Sequence, residues 1–312
     1  MYKIGMIGIN SGNGHPYSYS AVFNGFDTKA LEKYCEYEII IKYLKEFHTG
    51  QNFIPNARIT HIWTQCPEKS KKIAAVSLIP NISNSIAELV EEVDAIIFAR
   101  DDVWNHWEMS KDIFASRKPL FMDKLLTPDP QELAQFAELA QGYPLMTSGS
   151  FRWSPSIKEA AEKIDFANLA TIHGVSPCTW DRYSPHLIEP IFALLGNDIE
   201  SVQNAGQENS ETVILTYRNG VQAVLQVFDK INTPLELTFR FRDEQAPYVI
   251  QSSQPTLKNY FFAMVTIMQK FAEMLTTGIT PTPLEETLFL NKVVIAAIES
   301  RNKNGEKITF VK

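Results

Sequence analysis

The chain has 312 residues, 45% of them hydrophobic, with a formal net charge of −7 at pH 7. An acidic balance without a Lys/Arg cluster excludes a nucleic-acid surface, which needs concentrated positive charge to hold phosphates. No apolar run reaches membrane-spanning length, so no membrane partner is expected, and the length suits two domains.

Cys35, Cys66 and Cys178 are too few and too widely spaced for a disulfide framework or a structural zinc site. No two histidines or cysteines stand at ligand spacing, so no metal is expected. Met1 leads directly into an apolar strand with no leader-like stretch, and a cytoplasmic location is expected.

In chain order, Tyr2 to Ile9 predicts a buried strand entering the turn Asn10-Ser-Gly-Asn-Gly-His15, with Pro16 suited to a first helical turn. A strand, glycine-rich turn and helix start present backbone N–H groups to a pyrophosphate. Gly8, Asn10, Ser11, Gly12, Asn13, Gly14 and His15 are therefore candidate dinucleotide contacts. Counting from Gly8, however, Asn10 and Asn13 fill the other glycine positions of a Gly-x-Gly-x-x-Gly fingerprint, and a plain strand-to-helix turn fits as well.

A helical stretch over Thr28 to Phe47 resembles an insertion that delays the next strand, Arg58 to Thr64. At that strand's end, where an acid would bond the adenosine ribose, stand Thr64 and Gln65. Lys69, Lys71 and Lys72 follow on helix Pro67 to Val76. They either take a 2′-phosphate or solvate a helix face, so the choice between NAD and NADP stays open.

Strand Val93 to Ala99, helix Trp104 to Ser116 and strand Lys118 to Leu126 form a βαβ unit. The last strand delivers Asp123 and Lys124 to its carboxyl end, where open parallel sheets bind ligands. A helix after Thr127-Pro-Asp-Pro and a strand Tyr143 to Ser148 complete a first domain, 1–149.

The second domain, 150–312, begins with helix Ser154 to Ile164, strand Ala170 to Val175 and a helix over Tyr183 to Gly196 that carries His186 near its first turn. Strands Thr212 to Tyr217, Val221 to Phe228 and Leu235 to Phe241, with Asn219-Gly220 as a hairpin turn, predict a mostly antiparallel open sheet. Helices Thr256 to Thr276 and Pro283 to Arg301 and a strand Lys307 to Val311 finish the chain. The expected class is α/β, with a Rossmann-type first domain and an α+β second domain. Val224, Leu225, Val227 and Phe228 mark an apolar sheet face that a second copy would cover, giving a homodimer or homotetramer.

Several segments together resemble the glucose-fructose oxidoreductase and inositol dehydrogenase (Gfo/Idh/MocA) superfamily over nearly the whole chain. Arg117 to Leu126 is similar to its Glu-Lys-Pro motif, with Asp123 for Glu and Leu125 for Pro. Arg100-Asp-Asp-Val-Trp-Asn-His106 is similar to its Thr-Pro-Asn-x-x-His loop, keeping only the histidine. Phe151-Arg-Trp-Ser-Pro155 resembles its Arg-Phe-x-Pro segment, and Pro281 to Ser300 its Pro-Leu-Glu helix.

The resemblance implies an NAD(P)-dependent oxidoreductase acting on a sugar, cyclitol or related polyhydroxylated molecule. Lys124 would bind or help deprotonate the substrate hydroxyl, and His186 would exchange its proton. Asp101, His106 and Asp123 would lie on the cofactor side; Arg152, Trp180, Arg182 and Tyr183 would face substrate. The aspartate usual four residues before the histidine is Arg182 here. Asp181 is its neighbouring substitute, and Glu189 is placed to orient the ring. Arg182 itself suits an acidic sugar or a surface salt bridge. A non-catalytic dinucleotide sensor or scaffold is the alternative that these departures leave open, as is a reaction that oxidises, eliminates and re-reduces.

Overall fold

The computed structural model describes residues 1–252 and 257–311. Contacts divide the chain into two units: Met1–Thr127, Gln131–Ser148 and Met264–Leu284 form the first, and Pro128–Pro130, Gly149–Ala263 and Glu285–Lys312 the second.

In the first unit, strands β1 (Tyr2–Ile7), β2 (Ala57–Trp63), β3 (Asn81–Ile82), β4 (Ala95–Phe98), β5 (Leu120–Met122) and β6 (Leu145–Thr147) form one parallel sheet in the order β3-β2-β1-β4-β5-β6. Ile4, Met6, Ile7, Ile96, Ile97, Phe98, Leu120, Phe121 and Met122 are wholly buried. Parallel strands covered on both faces read as continuous apolar runs, which is why these segments were legible. The order reverses beside β1, so the switch point lies at the carboxyl ends of β1 and β4.

Helices α1 (His15–Asn24), α2 (Thr28–Tyr34), α3 (Glu38–Phe47), α4 (Pro67–Val76), α5 (Ile86–Glu92), α6 (His106–Ala115) and α7 (Pro130–Leu139) accompany the strands. The helical stretch expected over Thr28 to Phe47 consists of two helices, because Cys35 and Tyr37 take extended backbone conformations. The Asp27 carboxylate caps α2 by accepting from the Ala30 N–H at 2.7 Å. The strand expected over Lys118 to Leu126 pairs in register only over Leu120–Met122; the Asp123 N–H still donates to the Phe98 carbonyl at 2.9 Å, and no residue after it belongs to the strand. Strand β3 escaped detection because two exposed residues carry no periodicity.

Residues 264–284 group with the first unit, whereas a single division at 149/150 assigns them to the second. Side-chain contacts give the reason. The Phe271 and Phe121 rings meet at 6.0 Å between centroids, Tyr2 Oη donates to the Leu275 carbonyl at 2.7 Å, and Gln269 Nε2 donates to the Phe53 carbonyl at 3.4 Å.

In the second unit, α8 (Pro155–Lys163), β7 (Leu169–Pro177) and α9 (Trp180–Leu195) precede β8 (Ile199–Asn204), β9 (Ser210–Tyr217), β10 (Gln222–Phe228), β11 (Glu236–Phe241) and β12 (Tyr248–Gln251). Helix α10 (Leu257–Thr277) follows; its expected first residue, Thr256, lies outside the described residues. Helix α11 (Leu284–Asn302) and β13 (Ile308–Thr309) end the chain.

The seven-stranded sheet has the order β12-β11-β7-β10-β9-β8-β13. It is mixed: β7 and β10 are parallel, and the remaining pairs antiparallel. Between β9 and β10, Gly220 alone takes positive φ (85°), and the Tyr217 N–H donates to the Val221 carbonyl at 2.9 Å. That is a three-residue loop closed by a glycine bulge rather than a two-residue Asn-Gly turn.

Strand β10 also corrects the expected apolar face. Ala223, Leu225 and Val227 are fully buried on one side, while Gln222, Val224, Gln226 and Phe228 are exposed or half-exposed on the other. Side chains alternate along a strand, so Leu225 and Val227 cannot share a face with Val224 and Phe228. Among the described residues, no helix is long and apolar enough to cross a membrane.

Candidate active site

Strand β1 delivers the turn at its carboxyl end as expected, and Gly8 is required there because an added Cβ would lie 2.5 Å from Pro16 Cγ. Gly12 takes φ +80°, a conformation that costs side-chain-bearing residues. Asn13 Oδ1 accepts from the His15 N–H at 2.8 Å, and Pro16 has no N–H to offer. The backbone N–H groups of Gly12 and Gly14 have no partner among the described residues, and the first turn of α1 holds no acid. This arrangement fits an anionic pyrophosphate at the start of α1.

The two asparagines at the glycine positions have definite work. Asn10 Nδ2 donates to Asp101 Oδ1 at 2.7 Å, and Asn10 Oδ1 accepts from the Asp101 N–H at 3.1 Å. Asn13 Nδ2 donates to Asp123 Oδ2 at 3.3 Å, and His15 Nδ1 contacts the same oxygen. The turn is thus tied by side chains to the carboxyl ends of β4 and β5.

Lys124 is not an exposed lysine. It follows β5 with its side chain 1% exposed, and Nζ pairs with Asp101 Oδ2 at 3.2 Å. The Lys124 N–H donates to Asp123 Oδ1 at 2.9 Å. The charge beside the amine is the Asp101 carboxylate. Desolvating both ions is costly, and the Coulomb attraction and the Asn10 hydrogen bonds offset that cost.

Thr64, Gln65 and His106 are committed elsewhere. Thr64 Oγ1 donates to the Cys66 carbonyl at 2.7 Å and meets Ser70 Oγ at 2.9 Å. The Gln65 amide bonds the Ile9 N–H and carbonyl and accepts from Arg100 at 2.9 Å, so it laces β2 to the turn. His106 is fully buried with Nε2 at 2.9 Å from the Arg100 carbonyl. Burial lowers its pKa below the usual histidine range, against the pull of that carbonyl and of Asp123 and Asp102. It supports the loop from within the unit.

In the second unit, α9 begins at Trp180, which puts His186 in the second turn rather than the first. Asp181, Arg182 and Tyr183 are half-buried in the opening turn. The Tyr183 and His186 rings lie edge-to-face at 5.1 Å. Gly149, which the sequence did not single out, closes against this group: its N–H donates to Glu189 Oε2 at 2.6 Å, and an added Cβ would lie 3.0 Å from His186 Nδ1. Glu189 therefore fixes the backbone wall beside the imidazole.

Two expected substrate contacts are corrected. Trp180 is 3% exposed, with its indole N–H donating to the Val294 carbonyl at 3.2 Å, so it is a core residue. Arg152 pairs with Glu286 in the first turn of α11 and lies over the Trp153 ring. No cluster of His, Cys, Asp and Glu suited to a metal ion exists among the described residues.

No family model matches the sequence. No curated protein sequence matches it either. Solved structures do. The chain is similar to myo-inositol 2-dehydrogenase from Lactobacillus plantarum, with a TM-score of 0.74 and 14% identity over 99% of each chain. It is also similar to scyllo-inositol dehydrogenase from Lactobacillus casei, solved with bound NAD(H) and scyllo-inositol, with a TM-score of 0.74 and 13% identity over 99% of each chain. An oxidoreductase from Agrobacterium radiobacter in complex with NAD+, L-tartaric acid and magnesium gives a TM-score of 0.69 and 16% identity, over 99% of this chain and 98% of that one. The parallel first sheet, the mixed second sheet and these full-length likenesses give the chain the fold of those two inositol dehydrogenases and that oxidoreductase.

Proposed function

We propose that this protein is an NAD(P)-dependent oxidoreductase acting on a secondary alcohol of a sugar, cyclitol or related polyhydroxylated small molecule. The observation that carries this function is the buried Lys124–Asp101 pair at the carboxyl end of β5, in the same unit as a glycine turn with unpartnered N–H groups. A purely structural lysine has little reason to be desolvated there. The similar fold of a dehydrogenase solved with NAD(H) and scyllo-inositol supports the substrate class.

The turn from Gly8 to His15 would hold the dinucleotide, which supplies the hydride acceptor or donor when bound. The Lys124 ammonium donates a hydrogen bond to the substrate hydroxyl oxygen and stabilises negative charge as its proton leaves. Asp101 keeps the ammonium in place, and Asn10 keeps Asp101 in place. His186 takes the hydroxyl proton in oxidation and returns it in reduction; Tyr183 and the Gly149 backbone restrict the ring. Asp181 and Arg182 precede His186 in the opening turn of α9, and Arg182 would suit a substrate carboxylate or a surface salt bridge.

Purified protein assayed for nicotinamide reduction against inositols, aldoses and sugar acids is expected to turn over at least one class. Lys124→Met is expected to lower kcat/KM by about 10²–10⁴-fold. Turnover equal to wild type in Lys124→Met, with His186→Ala also unaffected, refutes this assignment.

A further inference from the structure

The inserted pair α2 and α3 reverses direction over Cys35, Glu36 and Tyr37, and this reversal is anchored beside the dinucleotide turn. Tyr37 Oη donates to the Asn13 carbonyl at 3.2 Å, and an added Cβ on Gly14 would meet Ile40 Cδ1 at 2.4 Å and Tyr37 at 2.9 Å. On its other side, Glu36 takes both contacts of Lys69 in the first turn of α4, at 2.7 and 2.6 Å. Glu36 is thus held between the glycine turn after β1 and the start of the helix after β2.

In dinucleotide folds that is the region of the adenosine ribose, normally served by an acid at the end of β2. This chain has Thr64 and Gln65 at that strand end, and both side chains are committed within the fold. Neither offers a carboxylate. Of the three lysines of α4, Lys69 is committed to Glu36 and Lys71 to Glu68. A carboxylate carries about four lone-pair sites, so an ammonium on its two oxygens leaves acceptor capacity for a vicinal diol.

We propose that Glu36, supplied by the insertion, is the ribose acid of this site: it accepts the 2′- and 3′-hydroxyls of the adenosine ribose and selects against a 2′-phosphate. The assignment rests on the dinucleotide function proposed above and names the form of cofactor preferred. Lys69 holds the Glu36 carboxylate in place and keeps it ionised, lowering its pKa below the usual carboxylate value by hydrogen bond and charge. A 2′-phosphate dianion brought to the same place meets that negative charge, while a diol donates to it.

The test is titration of the whole protein with NADH and with NADPH, followed by nicotinamide fluorescence, for wild type, Glu36→Gln and Lys69→Ala. Wild type is expected to bind NADH about tenfold or more tighter than NADPH, and Glu36→Gln to bring the two within about threefold by removing the charge. Lys69→Ala removes the ion pair but leaves the carboxylate, so the NADH preference is expected to persist or widen. An unchanged ratio in Glu36→Gln overturns the assignment, as does a Lys69→Ala ratio that moves like that of Glu36→Gln, which would make the ion pair a structural strut. Tighter NADPH binding by wild type overturns it too. If wild type binds neither nucleotide, the dinucleotide function itself falls and Glu36 with it. Both side chains are a third or more exposed, at 55% for Glu36 and 33% for Lys69, so both variants are expected to fold.

Discussion

Lys124, Asp101 and Asn10 show how three unremarkable residues become a site. Each is polar and each is required by a neighbour: the amine needs the carboxylate, and the carboxylate needs the amide. His106 has a different role and a measurable one. Its pKa is lowered chiefly by burial, so below about pH 6.5 the unfolded chain takes up a proton that the folded chain refuses. The unfolded state then binds more protons, and stability falls as pH drops below that value and is flat with respect to this group above it. Urea midpoints measured from about pH 8 down to pH 5 are expected to show this acid-side loss, and His106→Gln to reduce its slope. Identical slopes in the two proteins would show that another group carries the effect.

Among the elements, α10 carries the clearest energetic consequence, because its later residues pack with the first unit. Phe271 is fully buried and meets Phe121 on β5, the strand that leads to Lys124. Phe271→Ala is expected to cost about 3–5 kcal/mol by chemical denaturation. A fragment of residues 1–148 lacks that ring and the Tyr2 to Leu275 hydrogen bond. It is expected to bind an apolar dye and to lose near-ultraviolet circular dichroism. A fragment with native near-ultraviolet signal would show that α10 is dispensable to this sheet.

For the whole molecule, the outward row of β10, Gln222, Val224, Gln226 and Phe228, continues on β7 with Thr171, His173 and Val175 and on β9 with Thr212, Ile214 and Thr216. These side chains are exposed or half-exposed and mix apolar with polar groups. Sedimentation at micromolar concentration is expected to give a dimer or tetramer, and Val224→Asp with Phe228→Asp to give a smaller species that keeps its secondary structure. A monomeric wild type would remove the sheet face from the account.

The sequence by itself determined the class of both sheets, since buried parallel strands and alternating ones leave local patterns that need no distant partner: Ile96 to Phe98 and Thr212 to Tyr217 are legible as they stand. It also pointed to Lys124, at the end of an apolar strand, and through the family resemblance to His186. Only the tertiary structure decided what each polar group does. That Asn10 serves Asp101, that Gln65 is spent on Ile9, that Trp180 is core and that Gly149 walls His186 all depend on contacts between residues 37 to 114 positions apart. Local propensity carries no information about such partners. A hydrogen bond is specified by the geometry of two ends, and folding brings the second end into place.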